Sequence, residues 1–323
     1  MRTPILPPTP MGIQHAARLL GQGLLVAIPT ETVYGLAADA RNGQAVAGVY
    51  QVKGRPSFNP LIVHVADLDA AAEIAHLTPA ARALAQRFWP GALTMVLPLR
   101  SDARIASLVT AGLDTVAIRV PAHPVARALL AAFGGPVAAP SANISGRISP
   151  TRVDHVTDPE GGLDGLIAGA VDGGACRVGL ESTIVGWDDD GTPRLLRPGG
   201  IDLPPLEWVL GQPLRQENPT AEGSTPKPSA PGQLSSHYAP RALVRLNADA
   251  ARDGEFLLGF GPVPGDISLS PRGDLTEAAA NLFAMLREAD DRSAGTRIAV
   301  APIPDDGLGL AINDRLRRAA APR

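Results

Sequence analysis

Several residue types are scarce in this chain of 323 residues, and each scarcity narrows the classes of protein it can belong to. Cys176 is the single cysteine, so no internal disulfide is available, and no Cys/His cluster has the spacing of a zinc site. Aromatic residues make up 4% and the net charge is −3, which argues against a protein that binds nucleic acid mainly through a basic, aromatic surface. No apolar run approaches the length of a membrane span, and residues 1–10 lack the apolar segment of a signal peptide. We therefore expect a soluble protein of a reducing, cytoplasmic compartment.

Lysine is almost absent as well, since only Lys53 and Lys227 among the 29 basic residues are lysines. Lys53 precedes Gly54 at the end of a predicted helix, where a cation and a C-cap glycine are both common. That structural role does not explain why a compact ammonium is kept in a chain that otherwise uses arginine. Neither lysine lies in a Gly-x-x-x-x-Gly-Lys-Ser/Thr loop, so a P-loop is excluded. Lys53 is therefore a candidate for binding phosphate in another kind of site.

Helix-like and strand-like segments follow one another through the first two hundred residues, and the strands do not alternate strictly with the helices. This pattern predicts an α/β fold with one large, twisted mixed sheet and helices packed on it. Helices are predicted over 14–20, 45–52 and 124–133 and from Thr78-Pro79 onward, and strands over 24–28, 61–65, 92–97, 115–120 and 136–139.

The composition changes after residue 211. Residues 212–240 are polar, rich in proline and without periodicity, which indicates a linker. We predict a catalytic domain over 1–211, a linker that closes over the active site over 212–240, and a small Rossmann-like α/β domain over 241–323. In this last domain, strands are predicted over 242–246, 256–260 and 297–301, and helices over 275–286 and 308–318.

Seven different short motifs follow one another along the first domain. They occupy residues 29–36 (PTETVYGL), 53–65 (KGRPSFNPLIVHV), 88–94 (FWPGALT), 117–121 (AIRVP), 140–146 (PSANISG), 179–185 (GLESTIV) and 196–199 (LRPG). Together they resemble the YrdC-like family, the threonylcarbamoyladenylate synthases, whose Lys-x-Arg and Ser-x-Asn pairs read here as Lys53/Arg55 and Ser141/Asn143. The resemblance extends over residues 24–200, and the domain after the linker matches the longer, two-domain form of that family.

The resemblance implies a reaction in which L-threonine, bicarbonate or CO₂, and ATP give threonylcarbamoyl-AMP and pyrophosphate. Magnesium is expected with the triphosphate, although no residue identifies itself as a metal ligand. The product would serve the enzymes that modify adenosine beside the anticodon of tRNA, which makes these transfer enzymes expected partners, with a weak contact to tRNA itself. Such chemistry needs fixed cations around the phosphates and exclusion of water, because the carbamate and the mixed anhydride are labile.

The resemblance also implies roles for individual residues. Lys53 and Arg55 would be the catalytic cations that face the phosphates, and Lys53→Ala is expected to abolish the reaction without unfolding the chain, because a pocket lysine adds little to packing. Contacts with ATP are implied for Lys53, Arg55, Asn59, Thr115, Ser141, Asn143, Ser149, Arg197 and Tyr238, and contacts with L-threonine for Thr32, His64, Arg119 and Ser182.

Residue context alone leaves alternatives open for some of these positions. The turn with Ser141 and Asn143 is typical of turns in general. Arg119 suits an ion pair with a nearby carboxylate as well as it suits a ligand, and a lone strand histidine such as His64 is more often structural than catalytic. Tyr238 lies in the stretch 230–240, which resembles the family's inter-domain loop over the nucleotide, and the alternative is a solvated linker tyrosine.

The composition disfavours two other functions for the whole chain. An RNA-binding module without adenylate chemistry is disfavoured by the low aromatic content and the negative charge. A carbamoyl-transfer protein of hydrogenase maturation carries a zinc-finger segment, which a single cysteine excludes. The synthase is the favoured interpretation.

Overall fold

The computed structural model describes residues 2–216 and 236–322. Two sheets dominate this part of the chain: an 11-stranded mixed sheet and a separate four-stranded parallel sheet. The predicted fold class, a large twisted mixed sheet with a second, small α/β unit, is confirmed. Lys227 and most of the stretch predicted as a linker, residues 217–235, lie outside the described residues.

The large sheet draws its strands from residues 5–216, in the order β1-β8-β2-β3-β7-β4-β6-β5-β9-β10-β11. Its strands are β1 (Ile5–Leu6), β2 (Val26–Ile28), β3 (Gly35–Asp39), β4 (Ile62–His64), β5 (Leu93–Pro98), β6 (Thr115–Arg119), β7 (Val137–Ala138), β8 (Gly169–Val171), β9 (Thr183–Trp187), β10 (Pro193–Arg197) and β11 (Arg215–Gln216). The helices of this part are α1 (Pro10–Gly21), α2 (Gly43–Lys53), α3 (Leu68–Ala72), α4 (Pro79–Phe88), α5 (Ser107–Thr110), α6 (Pro124–Phe133), α7 (Val153–Val156) and α8 (Leu203–Leu210).

Local capping chemistry fixes several of the helix ends. Helix α2 ends at Lys53 because Gly54 adopts a left-handed conformation (φ 60°) that closes the last turn. Helix α4 begins at Pro79, and the side chain of Thr78 accepts a hydrogen bond from the backbone of the first turn. These predicted boundaries are confirmed. Helix α1 begins earlier than predicted, since Thr9 caps it ahead of Pro10.

The sequence patterns missed several strands. Strands β9 and β10 pair with each other in an antiparallel ladder, and β9 also pairs in parallel with β5. Strand β9 begins inside the motif 179–185, which predicts a chemical role and no particular conformation. Strand β11 pairs with β10 and extends the large sheet to Gln216, so the first residues of the predicted linker range belong to this sheet.

The small sheet is entirely parallel, in the order β12-β15-β13-β14. Helix α9 covers it with an apolar face that includes Leu282, Phe283 and Leu286, all fully buried. This helix runs to Arg292, further than the predicted stripe. The elements are β12 (Leu243–Arg245), β13 (Phe256–Gly259), β14 (Ile267–Ser268), α9 (Leu275–Arg292), β15 (Arg297–Val300) and α10 (Leu308–Ala319).

The two sheets are joined by a buried interface. Val33, Ile148 and Leu180 of the first part pack in one apolar cluster with Tyr238 and with the core of the small unit. Arg287 on α9 pairs with Asp158 at 2.6 Å across this interface. No helix within residues 2–216 and 236–322 is long and apolar enough to cross a membrane.

Candidate active site

A cavity lies at the carboxyl ends of β4 and β6, where these parallel strands place His64 beside Arg119. Asn59, Asn143, Ser149 and Lys53 are buried but do not form its wall. Thr115 is half-buried at the opposite, amino-terminal end of β6. The cavity brings together eight of the predicted site residues: Thr32, Arg55, His64, Arg119, Ser141, Ser182, Arg197 and Tyr238.

Lys53 does not point into the cavity. Its Nζ donates hydrogen bonds to the backbone carbonyl oxygens of Ser141 at 2.6 Å and Asn143 at 2.5 Å, and its own carbonyl oxygen accepts one from the amide of Ser145. Burial, and then the charge of Arg55, lower the pKa of the Lys53 ammonium well below its ordinary value. The expectation that Lys53 adds little to packing is therefore wrong, because it fastens the end of α2 to the Ser141–Asn143 turn.

Arg55 is the cation that lines the cavity beside this turn. Its guanidinium donates to the carbonyl oxygens of Asn59 (3.1 Å) and Pro60 (2.8 Å) and to the side-chain oxygen of Asn59 (2.7 Å), which are all neutral acceptors. Burial lowers the pKa of Arg55 to about 10. Within the described ranges, no carboxylate forms a salt bridge with Lys53 or Arg55, so this end of the cavity has an excess of buried positive charge.

Arg119 forms the ion pair that residue context left open, and its side chain also reaches the cavity. Its guanidinium pairs with Glu31 at 2.6 Å and donates to the hydroxyl of Thr32 at 2.8 Å, and it also lines the cavity. Burial raises the pKa of Glu31, but the charge and hydrogen bond of Arg119 outweigh this effect and leave the pKa lowered. Glu31 is therefore ionised, and Arg119 reaches the cavity as part of a neutral pair.

His64, beside Arg119, is a neutral imidazole. Burial, and then the charge of Arg119, lower its pKa to about 3. Its Nδ1 is buried and has no hydrogen-bond partner in the described part of the chain. A buried polar atom without a partner is unusual in a structural histidine, and this nitrogen is available to a ligand.

The hydroxyl of Thr32 is committed to its neighbours. Its Oγ1 lies 2.8 Å from the hydroxyl of Thr30, a contact in which either hydroxyl can be the donor, and it accepts a 2.8 Å hydrogen bond from Arg119. The Thr30 hydroxyl donates to the carbonyl oxygen of Val33 at 2.6 Å and accepts from the amides of Thr32 and Val33, so it holds the turn that carries Thr32.

The small C-terminal unit contributes to the site through α10. Arg315 is fully buried, and it donates to Glu181 at 3.0 Å and to the carbonyl oxygen of Pro198 at 2.5 Å. Glu181 lines the cavity and accepts a 2.6 Å hydrogen bond from the hydroxyl of Ser149. The guanidinium of Arg315 also lies 5.6 Å from the centre of the Tyr238 ring, so one residue of α10 supports three groups around the cavity.

Tyr238 is buried, so the alternative of a solvated linker tyrosine is wrong. Its ring packs against Phe283, with centroids 5.4 Å apart, and against the edge of His237. The backbone of Tyr238 adopts φ 60°, a conformation that L-residues adopt rarely and that turns the chain over the cavity. The segment that follows is held by a hydrogen bond from the amide of Ala239 to Gly146.

Comparison with known proteins decides the family. A family model named for Sua5, YciO and YrdC proteins, and described as telomere recombination, matches residues 18–199. A second model, described as the C-terminal domain of threonylcarbamoyl-AMP synthase, matches residues 201–321. The chain belongs to the threonylcarbamoyl-AMP synthase family. The resemblance found in the motifs is confirmed, in the two-domain form.

Relatives of this synthase family match over nearly the whole chain. The threonylcarbamoyl-AMP synthase of Bacillus subtilis (strain 168) is 43% identical over 96% of this chain and 93% of its own length. That of Pyrococcus abyssi is 40% identical, over 96% of this chain and 94% of its own. A solved structure of P. abyssi Sua5 complexed with L-threonine superimposes with a TM-score of 0.87 and 38% identity, over 98% of both chains.

Sequence reasoning gave no role to His237 or to Arg315, which both support this cavity. His237 lines the cavity, and its pKa lies well below its ordinary value because of burial and then the charges of Arg55, Lys53 and Arg197. Its position beside Tyr238 was the available signal. Arg315 gave none, because its partner Glu181 is 134 residues away.

Two carboxylates lie at or beside the cavity, and neither suits a metal ion. Glu181 lines the cavity and is held by Ser149 and Arg315, and Glu31, which is outside the lining, is paired with Arg119. Across residues 2–216 and 236–322, no group of three or more His, Cys, Asp or Glu side chains is placed to hold a metal.

Proposed function

We propose that this chain condenses L-threonine, bicarbonate or CO₂, and ATP into threonylcarbamoyl-AMP and pyrophosphate. The product would enter the threonylcarbamoyladenosine modification of tRNA. The observation that carries the proposal is that the two ends of the cavity differ in charge. Arg55 lines one end, with Lys53 buried behind the wall, and neither has a carboxylate partner among the described residues, whereas the other end holds Arg119, His64 and small hydroxyls. Buried charge of one sign calls for a ligand of the other sign, which suits a triphosphate, whereas the second end suits an amino acid.

At the phosphate end we assign Arg55 to clamp phosphate oxygens, since a guanidinium can bind two of them at once. Lys53 acts from behind the wall: it supplies positive charge and holds the Ser141–Asn143 turn in place. Asn59 orients Arg55 through its carbonyl and amide oxygens. The other contacts that we assign to ATP are Ser141, Asn143, Ser149, Arg197 and Tyr238. The contact of Thr115 with ATP stays a prediction from the resemblance, because Thr115 lies at the opposite end of β6 and outside the cavity lining.

At the other end we assign the amino-acid pocket to Thr32, His64, Arg119 and Ser182. L-Threonine, which the P. abyssi relative binds, is the substrate that we expect there. Arg119 would meet the substrate carboxylate and remain partly neutralised by Glu31. His64 is neutral and has a free Nδ1 for a hydrogen bond with the substrate.

The reaction then needs two bond-forming steps. The threonine amine attacks CO₂ and loses a proton, which gives a carbamate. A carbamate oxygen attacks the α-phosphorus of ATP, and the bond to the departing pyrophosphate breaks. Fixed cations lower this barrier because negative charge develops on the leaving group. The buried ring of Tyr238 over the cavity keeps water from the labile carbamate.

Magnesium would be carried by the phosphate oxygens of ATP, because Glu181 of the cavity wall and Glu31 beside Arg119 are already engaged in ion pairs. Further parts of the proposal are a catalytic domain over 1–211, a closing linker over 212–240 and an accessory domain over 241–323. The tRNA-modifying transfer enzymes would receive the product, with weak tRNA contact. A reducing, cytoplasmic compartment agrees with the buried thiol of Cys176.

Pyrophosphate release from ATP tests this function when threonine and bicarbonate are each omitted in turn. Release should require both. Arg55→Gln should lower the rate by about 10²-fold or more, because it removes a charged group that contacts the leaving phosphates. Arg104→Gln, at an exposed position without a salt bridge in the described residues, is the matched control and should be unchanged. Release that is indifferent to threonine would point to another acceptor, and no release from folded protein with Mg²⁺ would favour the RNA-binding alternative.

A further inference from the structure

Thr94 is a fully buried residue of β5, behind the amino-acid end of the cavity. It ends the motif 88–94, to which the proposed function gives no role. Its Oγ1 lies 2.7 Å from the Oγ of Ser182, which lines the cavity. In the described part of the chain, this is the one hydrogen bond that the Thr94 hydroxyl makes.

The direction of this hydrogen bond follows from proton counting. A buried O–H that has no acceptor is costly, and in the described residues the Thr94 proton has no acceptor other than Ser182 Oγ. Thr94 therefore donates its proton to Ser182. Ser182 Oγ also accepts a hydrogen bond at 3.2 Å from Nη2 of Arg197. Both lone pairs of the Ser182 oxygen are then occupied, and its own proton remains for a group inside the cavity.

Ser182 therefore offers a proton to a ligand in the cavity. The Arg197 guanidinium behind Ser182 makes that proton a stronger donor and favours an acceptor with negative charge. A carboxylate oxygen of an amino acid has this chemistry.

We propose that Thr94 is a positioning residue that fixes Ser182 as a hydrogen-bond donor toward a carboxylate oxygen of the amino-acid substrate. This inference rests on the proposed function. It gives the motif 88–94 a role in the affinity for the amino acid, and it gives this role to a residue that does not touch the substrate.

The test compares KM values in the pyrophosphate-release assay. Thr94→Val keeps the shape of the side chain and removes the hydroxyl. It should raise the KM for L-threonine by about threefold to tenfold, the effect of losing one hydrogen bond, and leave the KM for ATP unchanged. Thr94→Ser restores the hydroxyl and should bring the KM for L-threonine back toward the wild-type value.

Thr183→Val is the matched control on the neighbouring strand β9. The hydroxyl of Thr183 is also buried, but it bonds to the backbone of Ile201 and not to the cavity. Both KM values of this variant should match the wild type. An unchanged KM for L-threonine in Thr94→Val would overturn the proposal, as would a parallel rise of both KM values in the Thr94 and Thr183 variants. Threonine-independent release by the wild-type protein would instead overturn the proposed function itself.

Discussion

The contact of Arg315 with Glu181 gives a sharp prediction about how the small unit supports the site. Arg315→Met keeps the length of the side chain and removes its charge. Glu181 would then keep its charge and its bond from Ser149 but lose its ion-pair partner. The side chains of Arg315 and Glu181 are 1% and 9% exposed, so little water can replace the guanidinium.

The expected loss is large compared with the stability of a protein. Removal of one partner from a buried ion pair costs about 3–5 kcal/mol, against total unfolding free energies of about 5–15 kcal/mol. The loss comes mainly from the uncompensated carboxylate, so Arg315→Met combined with Glu181→Gln should lose less than Arg315→Met alone. The single variant should also raise the KM for ATP, because Arg315 supports Ser149 and the ring of Tyr238.

Urea unfolding of the full chain measures the free energies, and pyrophosphate release measures the KM. Arg317→Met is a matched control on the same helix, since the Arg317 side chain is 59% exposed and lies 4.0 Å from Asp305. An exposed pair of this kind contributes less than about 1 kcal/mol. The reasoning fails if Arg315→Met costs no more than Arg317→Met, or if the double variant is as unstable as the single one.

Two further predictions concern Lys53 and His64. Lys53→Met removes the donor from the two carbonyl oxygens that Nζ contacts. We therefore expect the unfolding free energy to fall by about 2 kcal/mol or more, together with loss of pyrophosphate release. A variant as stable as the wild type in urea would contradict this prediction. The pKa of His64 is about 3 in the folded chain, against an ordinary value of 6.5. Between these two pH values the unfolded chain binds a proton that the folded chain excludes. The stability that neutral His64 contributes is therefore fully present above pH 6.5 and is lost as the pH falls toward 3. This residue adds up to about 1.4 kcal/mol per pH unit to the slope of the unfolding free energy against pH. His64→Gln should therefore flatten that slope between pH 4 and 6 in urea unfolding. Equal slopes in the variant and the wild type would count against this prediction.

Local signals predicted much of the fold. The end of α2 at Lys53 and the start of α4 at Pro79 were predicted because glycine and Thr-Pro caps act within a single turn. The apolar stripe of α9 was predicted because its 3.6-residue period is a property of the segment itself. Strands β9 and β10 were missed because their stability comes from pairing with each other and with β5, which no local pattern records.

The site was predicted to a similar degree. Collinear motifs identified eight of the residues that line the cavity, but not what each side chain contacts. Lys53 was expected to face phosphate, whereas it binds two carbonyl oxygens 88 and 90 residues further along the chain. Contacts over such distances depend on how the strands are ordered in the sheet, and the order of 11 strands is not written in any single segment.

Charge pairing also explains why composition was a poor guide to this site. The chain is acidic overall, with a net charge of −3, which disfavours bulk attraction of nucleic acid. Around the cavity, however, Glu31 neutralises Arg119 and Glu181 neutralises Arg315, while Arg55 in the wall and Lys53 behind it contact neutral oxygens. The positive potential is therefore concentrated at one end of a buried cavity, where low polarity strengthens it and salt screens it little. An acidic protein can in this way bind a polyanion at one point without attracting polyanions over its surface.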